Sequence, residues 1–494
     1  MERQESGHQQ IADDGAPHKT PGKLLKNKRL LLAVSGGGVA LLAITVLIFA
    51  LHRTSTPSQA NKICGYDTGY TCQTGDVMTN MSFKCMPEEA NQWYRTDQSL
   101  VIDPASPDTM YISVEWKGVY KTTDGGKTWL YKSKGIRAYA NKDDTSKPCH
   151  SEYPVIRIDP FDHNHLVIAI SGGGGGILDA TTPNSQTGGV YQTFDGGEHW
   201  QLMINNHMNR YVNDIAIDPV QKGTVYYTTS SIPASWAGAD QSKLYVTKGL
   251  VYKTTDYGKT WQELPTGIGS NTNARYALIN PANHDEIIVP TWSAKRLSKD
   301  GTGTGVSSGK DATVPQLGAL RTLDGGKTWQ QAFSSFTDVP FLYTYIAPNN
   351  FGHLYTVTTN KQNEAPYGLV TTDGKTLSKT KYVDLVAYDP FDASGMHMMG
   401  FTTVIIGPDS ENFTLWESND GGYNWHRYGS LPAEYDNFNT SPNRPSRLTW
   451  HPTDHNIMFM TGGSGYVWKS TDMGKTWTAI LNYKQLAPTS VPNN

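Results

Sequence analysis

The sequence lacks an excess of charge of either sign. Among its 494 residues, 42 Lys and Arg stand against 45 Asp and Glu, which gives a formal net charge of -3. Nucleic-acid-binding proteins usually carry a clear excess of basic residues, so this balance argues against that class. Charged residues are also few, at 18%, whereas disordered chains are typically highly charged and poor in aromatic residues. Most of the chain is therefore expected to fold.

The composition also lacks the character of a helical bundle, which would be rich in Ala, Leu, Glu and Lys. The chain instead contains 48 Gly and 27 Tyr, and this combination favours many short strands joined by tight turns. A single hydrophobic core normally stops growing at about 250–300 residues. A chain of this length therefore has either several domains or one architecture that builds its core by repetition.

One long hydrophobic run is present, Leu30 to Leu51, and it contains no charged residue. At about 1.5 Å of rise per residue, a helix of that length would span a bilayer. Lys and Arg are frequent before the run and sparse after it, so the positive-inside rule predicts a signal anchor with a cytoplasmic N-terminus. A cleaved signal peptide is the competing interpretation, although its apolar core would normally be about 7–15 residues long.

Cysteine is scarce, and all four residues lie on the side predicted to be outside the cytoplasm: Cys64, Cys72, Cys85 and Cys149. An even number of cysteines in that environment indicates two disulfides, with three possible pairings. A structural zinc site would need short paired spacings such as C-x2-C, which these positions do not provide. Disulfides are therefore favoured over zinc.

A short signature recurs seven times along the chain. Its complete form at Thr122–Trp129 reads Thr-Thr-Asp-Gly-Gly-Lys-Thr-Trp, and Gly after Asp suits a tight hairpin. One copy is worn, because it lacks a Gly and has Leu377 in place of Trp. The seven aspartates are Asp124, Asp195, Asp256, Asp324, Asp373, Asp420 and Asp472.

A second signature precedes each copy and consists of two apolar runs separated by Asp-Pro or a near equivalent. The seven dipeptides are Asp103-Pro104, Asp159-Pro160, Asp218-Pro219, Asn280-Pro281, Ala347-Pro348, Asp389-Pro390 and His451-Pro452. Each unit thus reads as strand A, an Asp-Pro turn, strand B, a variable loop, strand C, the Asp-Gly hairpin and strand D. In the first unit the predicted strands are Leu100–Ile102, Met110–Val114, Gly118–Lys121 and Lys127–Tyr131.

Seven four-stranded antiparallel units predict an all-β fold, a single seven-bladed β-propeller, because radial packing covers both faces of every unit. The resulting organisation is a disordered cytoplasmic tail (residues 1–29), the transmembrane anchor (30–51), a cysteine-containing juxtamembrane segment (52–91), the propeller (92–482) and a C-terminal tail (483–494). The protein is thus predicted to be a single-pass membrane protein with its propeller extracellular, periplasmic or luminal.

The signature at Thr122–Trp129 matches the Asp-box, or BNR, repeat in full. Over about residues 92–482, the chain resembles the Asp-box β-propellers, which include sialidases, xyloglucanase-type glycoside hydrolases, sortilin-type receptors and photosystem II assembly factors. The resemblance implies the propeller architecture. It does not imply one activity, because these relatives share the box and not their chemistry.

The seven box aspartates are interpreted as structural rather than catalytic or calcium-binding. Asp in a hairpin can accept backbone N–H bonds across its own turn, Thr can add a hydroxyl bond, and Trp can pack beneath the loop. An aspartate that recurs in the same position of seven hairpins is expected to stabilise those hairpins. A catalytic site instead requires one asymmetric group of residues.

Long insertions predict which face of the propeller carries function. They fall in the B–C loops and D–A connections, which emerge opposite the Asp-Pro turns and the boxes, and function favours irregular loops on a rigid scaffold. The A strands begin on that face near the central channel. Predicted ligand-binding residues at those strand starts are Arg95, Arg210, Tyr211, Arg275, Tyr276 and Arg444.

Two interpretations of these arginines remain open. They can form a clamp for a carboxylate, sulfate or phosphate group. Alternatively, each can pair with a neighbouring acid, such as Asp97 or Asp214, and hold adjacent blades together.

A binding propeller is favoured, with a glycan, peptide or protein as its ligand and the membrane contacted through the N-terminal helix. No cofactor, metal or nucleic acid is expected. The alternative is a sialidase-like or xyloglucanase-like glycoside hydrolase, which needs two carboxylates across a bound sugar. Its acidic candidates are Asp97, Asp214, Asp338 and Asp384. The segment Arg157–Pro160 resembles the Arg-Ile-Pro element of sialidases only loosely and is interpreted as structural, on the opposite side of the disc.

The cysteine pattern generates a direct prediction. Peptide mass mapping of protein taken from its native compartment should show Cys64, Cys72, Cys85 and Cys149 in two disulfides. These bonds would staple the juxtamembrane segment to itself and to the connection between the first two blades. Recovery of four free thiols would contradict the prediction.

Overall fold

The computed structural model describes a large part of the chain. The described residues are 77–83, 99–114, 117–136, 138–141, 155–170, 189–203, 212–230, 249–269, 272–293, 317–333, 339–358, 367–383, 385–402, 414–430, 445–462 and 465–482. All of them belong to one compact unit, Gln59–Asn494. Within these ranges no helix is long and apolar enough to cross a membrane. The predicted anchor and the four cysteines lie outside the described residues.

The described chain is built from short strands. The first ten are β1 (Val77–Phe83), β2 (Val101–Ile102), β3 (Met110–Val114), β4 (Gly118–Thr122), β5 (Leu130–Tyr131), β6 (Ala138–Asn141), β7 (Val155–Asp159), β8 (Asp162–Ile170), β9 (Gly189–Thr193) and β10 (Gln201–Leu202). The next nine are β11 (Val212–Ile217), β12 (Val225–Thr229), β13 (Val251–Thr254), β14 (Gln262–Glu263), β15 (Thr272–Ala274), β16 (Leu278–Ile279), β17 (Ile287–Ser293), β18 (Ala319–Thr322) and β19 (Gln330–Gln331). The remaining strands are β20 (Tyr343–Ala347), β21 (Asn350–Thr358), β22 (Tyr367–Thr371), β23 (Ser378–Thr380), β24 (Leu385–Tyr388), β25 (Met398–Phe401), β26 (Thr414–Ser418), β27 (His426–Ser430), β28 (Pro445–Trp450), β29 (Met458–Gly462), β30 (Val467–Ser470) and β31 (Thr478–Leu481).

These strands form seven antiparallel sheets, each made of strands that follow one another in the chain. Blade 1 is β2–β5, blade 2 is β7–β10, blade 3 is β11–β14, blade 4 is β15–β19, blade 5 is β20–β23, blade 6 is β24–β27 and blade 7 is β28–β31. The predicted all-β, seven-bladed propeller is thus confirmed. A feature that was not predicted is a separate two-stranded parallel sheet, in which β1 pairs with β6.

The first three strands of blade 1 agree with their predicted ranges to within one residue, but two larger differences occur. The fourth strand of blade 1 begins at Leu130 instead of Lys127, because the intervening residues belong to the hairpin loop that the box closes. The first strand of blade 4 is split into β15 and β16, which pair separately with β17. Between them, the Arg275 amide donates a hydrogen bond to the carbonyl of Pro290.

Apolar clusters between neighbouring blades form the core, and one of them closes the ring. It joins residues of blade 1 to residues of blade 7: Leu100, Met110, Ile112, Val114 and Tyr120 with Phe459, Val467 and Leu481. Every one of these side chains is almost fully buried. Burial of apolar surface contributes roughly 25 cal/mol per Å², so closure of the ring rests on direct packing of the last blade against the first.

Each Asp-box closes its own hairpin through side-chain hydrogen bonds. In blade 1, Thr122 Oγ1 donates to Asp124 Oδ1 at 2.7 Å, and the Gly126 amide donates to Thr122 Oγ1 at 3.0 Å. The Thr128 amide and hydroxyl donate to the two oxygens of the Asp124 carboxylate. The same pattern surrounds Asp256, and both of its carboxylate oxygens accept hydrogen bonds from within the loop.

The boxes also contact the preceding blade. Gly126 has a φ of 93°, and a Cβ placed there would lie 2.7 Å from Cδ1 of Ile480 in blade 7, so only glycine fits. The Trp200 indole donates to the Lys132 carbonyl of blade 1 at 2.7 Å. In both contacts the box of one blade touches the outermost strand region of its neighbour, which fixes the angle between blades.

The box carboxylates predict a pH dependence of stability. Hydrogen bonds from the side chain and amide of Thr260 lower the pKa of Asp256 to about 2. Its pKa in the unfolded chain is about 3.9, so the ionised group stabilises the fold above about pH 4, and this contribution is lost as the pH falls towards 2. Asp256→Asn should therefore lower Tm at pH 5, and the difference in Tm from the unchanged protein should shrink between pH 4 and pH 2. A Tm difference that stays constant across this range would contradict the prediction.

Candidate functional site

Residues from the first strands of six blades line one cavity of about 390 Å³, which we call the channel cavity. Its polar and aromatic lining residues are Arg157, Asp214, Tyr276, Thr344, Tyr345, Tyr388, Ser446, Arg447, Thr449 and Trp450. Apolar residues from the strands of blades 4 to 7 complete the wall, among them Leu278, Leu385 and Leu448. The cavity thus combines charged groups with flat and apolar surfaces.

Several cavity-lining side chains occupy recurring positions in the first strands of their blades, counted from the residue that precedes proline in the turn. Side chains two residues apart in a strand point to the same side. Asp214, Tyr276 and Arg447 each stand four residues before the Pro-turn residue that closes their strand. Arg157 and Tyr345 each stand two residues before it. These five residues stand at even spacing from the turn, whereas other lining residues, such as Tyr388 and Trp450, stand at odd spacing.

An ion pair crosses the boundary between blades 2 and 3 inside the cavity. Arg157 Nη2 donates to Asp214 Oδ1 at 2.7 Å, and Arg157 Nη1 donates to the Ile156 carbonyl at 2.9 Å. The Asp214 side chain is only 6% exposed. Loss of either partner would leave the other buried without its main charge contact, a change that is strongly destabilising.

A second guanidinium, that of Arg447 from blade 7, acts on the same ion pair. Burial and the positive charge of Arg157 lower the pKa of Arg447 to about 10, although the Asp214 carboxylate opposes this shift. Burial raises the pKa of Asp214, and the charges of Arg157, Arg447 and Arg275 oppose that effect. The environment therefore penalises each charge for its burial, and the cations outnumber the anions among the described residues of the cavity wall.

Arg275 occupies a different environment, next to aromatic rings. Its guanidinium carbon lies 5.6 Å from the ring centre of Tyr276, 5.4 Å from that of Tyr343 and 5.9 Å from that of Trp292. Such distances are those of cation–π contacts. Arg275 is not among the lining residues of the cavity, so it supports the wall from behind instead of facing the opening.

The structure brings together some of the predicted site residues. Asp214 and Tyr276 line the cavity, and Arg275 lies against Tyr276. The other predicted ligand-binding or acidic residues lie outside the described residues: Arg95, Asp97, Arg210, Tyr211, Asp338, Asp384 and Arg444.

Sequence reasoning missed two residues of the cavity wall, Arg157 and Arg447. Arg157 was interpreted as lying on the opposite side of the disc from the A-strand starts; its side chain lines the channel cavity and reaches Asp214. Its structural interpretation agrees with the ion pair between blades. Both arginines stand an even number of residues before the turn, but residues at odd spacing such as Tyr388 and Trp450 also line the cavity, so spacing along the strand alone does not single them out.

The chemistry available in the cavity is recognition of an anion. Guanidinium groups match carboxylate, sulfate and phosphate groups through paired N–H donors. Glycoside hydrolysis instead needs two carboxylates about 5–9.5 Å apart. Among the described residues that line the cavity, Asp214 is the one carboxylate, and it is held by Arg157.

Comparison with known protein families gives one match. The family model Sortilin-Vps10, described as "Sortilin, neurotensin receptor 3", matches residues 188–404. This span runs from β9 in blade 2 to β25 in blade 6. It covers a minority of the chain and lies wholly within the propeller.

Individual relatives are xyloglucanases. Xyloglucanase Xgh74A of Acetivibrio thermocellus is 23% identical over 352 residues, which are 65% of this chain and 33% of that protein. The solved GH74 xyloglucanase of Xanthomonas campestris is 13% identical, with a TM-score of 0.51, and the match covers 78% of this chain and 55% of that structure. A solved ancestral GH74 enzyme is also 13% identical, with a TM-score of 0.50 and coverage of 78% and 47%.

This chain therefore spans a third of the length of its curated relative and near half of these solved structures. At such identities the likeness to the solved structures is a likeness of fold. Its propeller carries an Asp-box in each of seven blades. The chain thus forms a β-propeller of the Asp-box (BNR) type that is similar to sortilin-type and xyloglucanase-type propellers.

Proposed function

We propose that this protein is a ligand-binding propeller whose channel cavity takes an acidic group of a peptide or protein. The observation that carries the proposal is the meeting of two guanidinium groups, Arg157 and Arg447, around one buried carboxylate in a cavity of about 390 Å³. An incoming anion would bring a negative charge next to both guanidinium groups and would offset the burial of the second positive charge.

The size of the cavity limits what it can hold. Ligand pockets usually measure about 300–1,000 Å³, so this one is at the small end and accommodates one or two side chains or a chain end. Tyr345 and Trp450 offer flat surfaces beside the charged groups, and Leu385 and Leu448 offer apolar ones. An acidic group next to an apolar side chain fits this combination. The lining also includes Pro348 and Pro390, which belong to two of the A–B turns.

A peptide or protein ligand is favoured over a glycan. The matching family model is described by the name of a neurotensin receptor, which is a protein that receives a ligand rather than one that cleaves a polysaccharide. We also propose a location for the propeller. The charges that flank Leu30–Leu51 favour a single-pass anchor with the propeller outside the cytoplasm. The proposal is thus a membrane-tethered binding domain.

Glycoside hydrolysis is the alternative, and the similarity to a xyloglucanase supports it. In that case Asp214 would act with a second acid, and Asp97, Asp338 and Asp384 would be the remaining candidates. Burial raises the pKa of Asp214, as a protonated acid requires, but among the described residues that line the cavity no second carboxylate accompanies it.

Replacement of Arg447 tests the binding proposal. Loss of one partner from a buried charge-assisted contact typically costs about 2–5 kcal/mol of binding, so Arg447→Met should weaken binding of an acidic peptide by more than tenfold. Fluorescence polarisation with peptides from a short-peptide library, each compared with its form in which carboxylates are converted to amides, measures the effect. The amide forms should bind the unchanged protein weakly.

A matched control is Arg321→Met, because Arg321 pairs with Glu286 on the outer part of blade 4 and does not line the cavity. This variant should retain full affinity. Thermal melts of both variants separate binding from folding. Full affinity in a folded Arg447→Met protein would contradict the proposal.

The Asp214→Asn variant distinguishes the two functions, because it should increase the affinity for an acidic peptide if the protein is a binding domain and abolish hydrolysis if it is an enzyme. Asn keeps an oxygen that accepts the Arg157 hydrogen bond but removes a negative charge that would repel an acidic ligand. We expect several-fold tighter binding of the acidic peptide and no release of reducing ends from xyloglucan by either protein. Reducing-end release by the unchanged protein that Asp214→Asn abolishes would instead establish the hydrolase.

A further inference from the structure

We propose that Asp389, His397 and His455 form a binding site for a divalent transition-metal ion of the zinc type at the seam between blades 6 and 7. We call these three residues the seam triad. Their potential ligand atoms all lie within 4.8 Å of one another. The site lies outside the channel cavity and does not depend on the proposed binding function.

The ligands converge from two blades. Asp389 follows β24 at the Asp-Pro turn of blade 6, and its Oδ2 lies 2.7 Å from His397 Nδ1 and 2.7 Å from His455 Nε2. His397 immediately precedes β25 of the same blade, whereas His455 belongs to the turn of blade 7. The other carboxylate oxygen, Oδ1, accepts the Phe391 amide at 2.8 Å, which fixes the orientation of Oδ2.

The donor set suits zinc. Imidazole nitrogen and carboxylate oxygen are zinc ligands at about 2.0–2.2 Å, and in a tetrahedral site the ligand atoms stand about 3.3 Å apart. Accommodation of an ion therefore requires each 2.7 Å contact to open by roughly half an ångström. Three protein ligands leave a fourth position for water or for a group from outside.

A carboxylate stands behind one of the histidine ligands. His397 Nε2 lies 3.1 Å from Glu417 Oε1. A histidine that binds a metal through one ring nitrogen characteristically donates the other N–H to a carboxylate, which fixes the tautomer and strengthens the ligand. This second contact is independent of the triad and is the arrangement that zinc-bound histidines use.

Other seams of the same propeller show how the triad differs. In blade 2, Asp159 contacts His165 at 2.7 Å and His165 contacts Gln192 at 3.1 Å, which repeats the geometry of Asp389, His397 and Glu417. The position four residues after the next turn, where blade 7 has His455, is Lys222 in blade 3.

The two seams also differ in charge. At the seam of blades 2 and 3, burial opposes ionisation of Asp159, whereas hydrogen bonds from His165 and the Phe161 amide and the positive charge of Lys222 lower its pKa. The seam of blades 6 and 7 has two carboxylates, Asp389 and Glu417, and a histidine, His455, at the position of the lysine. A divalent cation would neutralise that pair. Within the described part of the chain, this is the group that offers three suitably placed ligands.

Simple Asp–His bracing is the alternative role. Asp103 contacts His163 at 2.7 Å and Asp218 contacts His284 at 2.9 Å, each across a seam, so one histidine on a turn carboxylate is a recurring contact between blades. In the seam triad, the turn carboxylate of Asp389 contacts two histidines instead of one. Asp389 is 3% exposed whereas His455 is 41% exposed, so the site is anchored in the interior and open to ions from solvent.

The test uses the full chain, stripped with a chelator and then titrated with Co²⁺ and with Zn²⁺. Tetrahedral Co²⁺ bound by nitrogen and oxygen should give visible absorption at one equivalent, and one equivalent of Zn²⁺ should displace it. Zn²⁺ should also raise Tm by several degrees, because an ion that binds only the folded state stabilises it.

Two variants copy residues that the chain already uses at the other seam. His455→Lys reproduces Lys222 and should abolish the Co²⁺ signal and the Tm rise. Glu417→Gln reproduces Gln192 and should weaken Zn²⁺ binding by about 10–100-fold, as loss of a carboxylate behind a ligand does. His284→Lys, at a seam with a single histidine, is the control and should bind Zn²⁺ as the unchanged protein does.

The proposal is overturned if the folded, unchanged protein shows neither the Co²⁺ absorption nor the rise in Tm. It is also overturned if the signal persists undiminished in both His455→Lys and Glu417→Gln, because the ion would then be bound elsewhere in the chain. If His455→Lys does not fold, Glu417→Gln alone decides, since Glu417 contacts no ion itself.

Discussion

Every blade of this protein has two apolar faces, and both must be covered by neighbouring blades. A four-stranded sheet cannot achieve this alone, so the blades pack side by side until Phe459 and Leu481 of the last meet Leu100 of the first. The Asp-boxes make that packing possible, because their side chains satisfy the hairpin backbone locally and present Trp or Gly to the preceding blade. Ring closure then creates a channel surrounded by the first strands.

Side chains that face the channel are not required to pack between two blades. Arg157 and Asp214 use that freedom to tie two blades together, and Arg447 brings a second positive charge to the same point. In the proposed function, Arg157 would therefore serve both to join two blades and to bind the ligand. The outer seam uses the same chemistry differently, since Asp389 joins two blades through His397 and His455.

The blades could be predicted because their information is local. Asp followed by Gly specifies a hairpin within a few residues, and seven repetitions in fixed order specify a propeller. The cavity was harder to predict, because Arg157 and Arg447 come together only when the ring closes. Proximity to strand starts selected Arg275, which packs against rings, but not Arg447, which lines the cavity. The seam triad joins residues 66 positions apart, for which no spacing motif exists.

The most direct measurement is an experimental structure of the propeller with a bound acidic peptide. The account predicts a carboxylate of the peptide within hydrogen-bond distance of the Arg447 guanidinium, inside the channel cavity and close to the Arg157–Asp214 pair. A peptide bound on the outer strands or on the Asp-Pro turns, with no group entering the cavity, would contradict it.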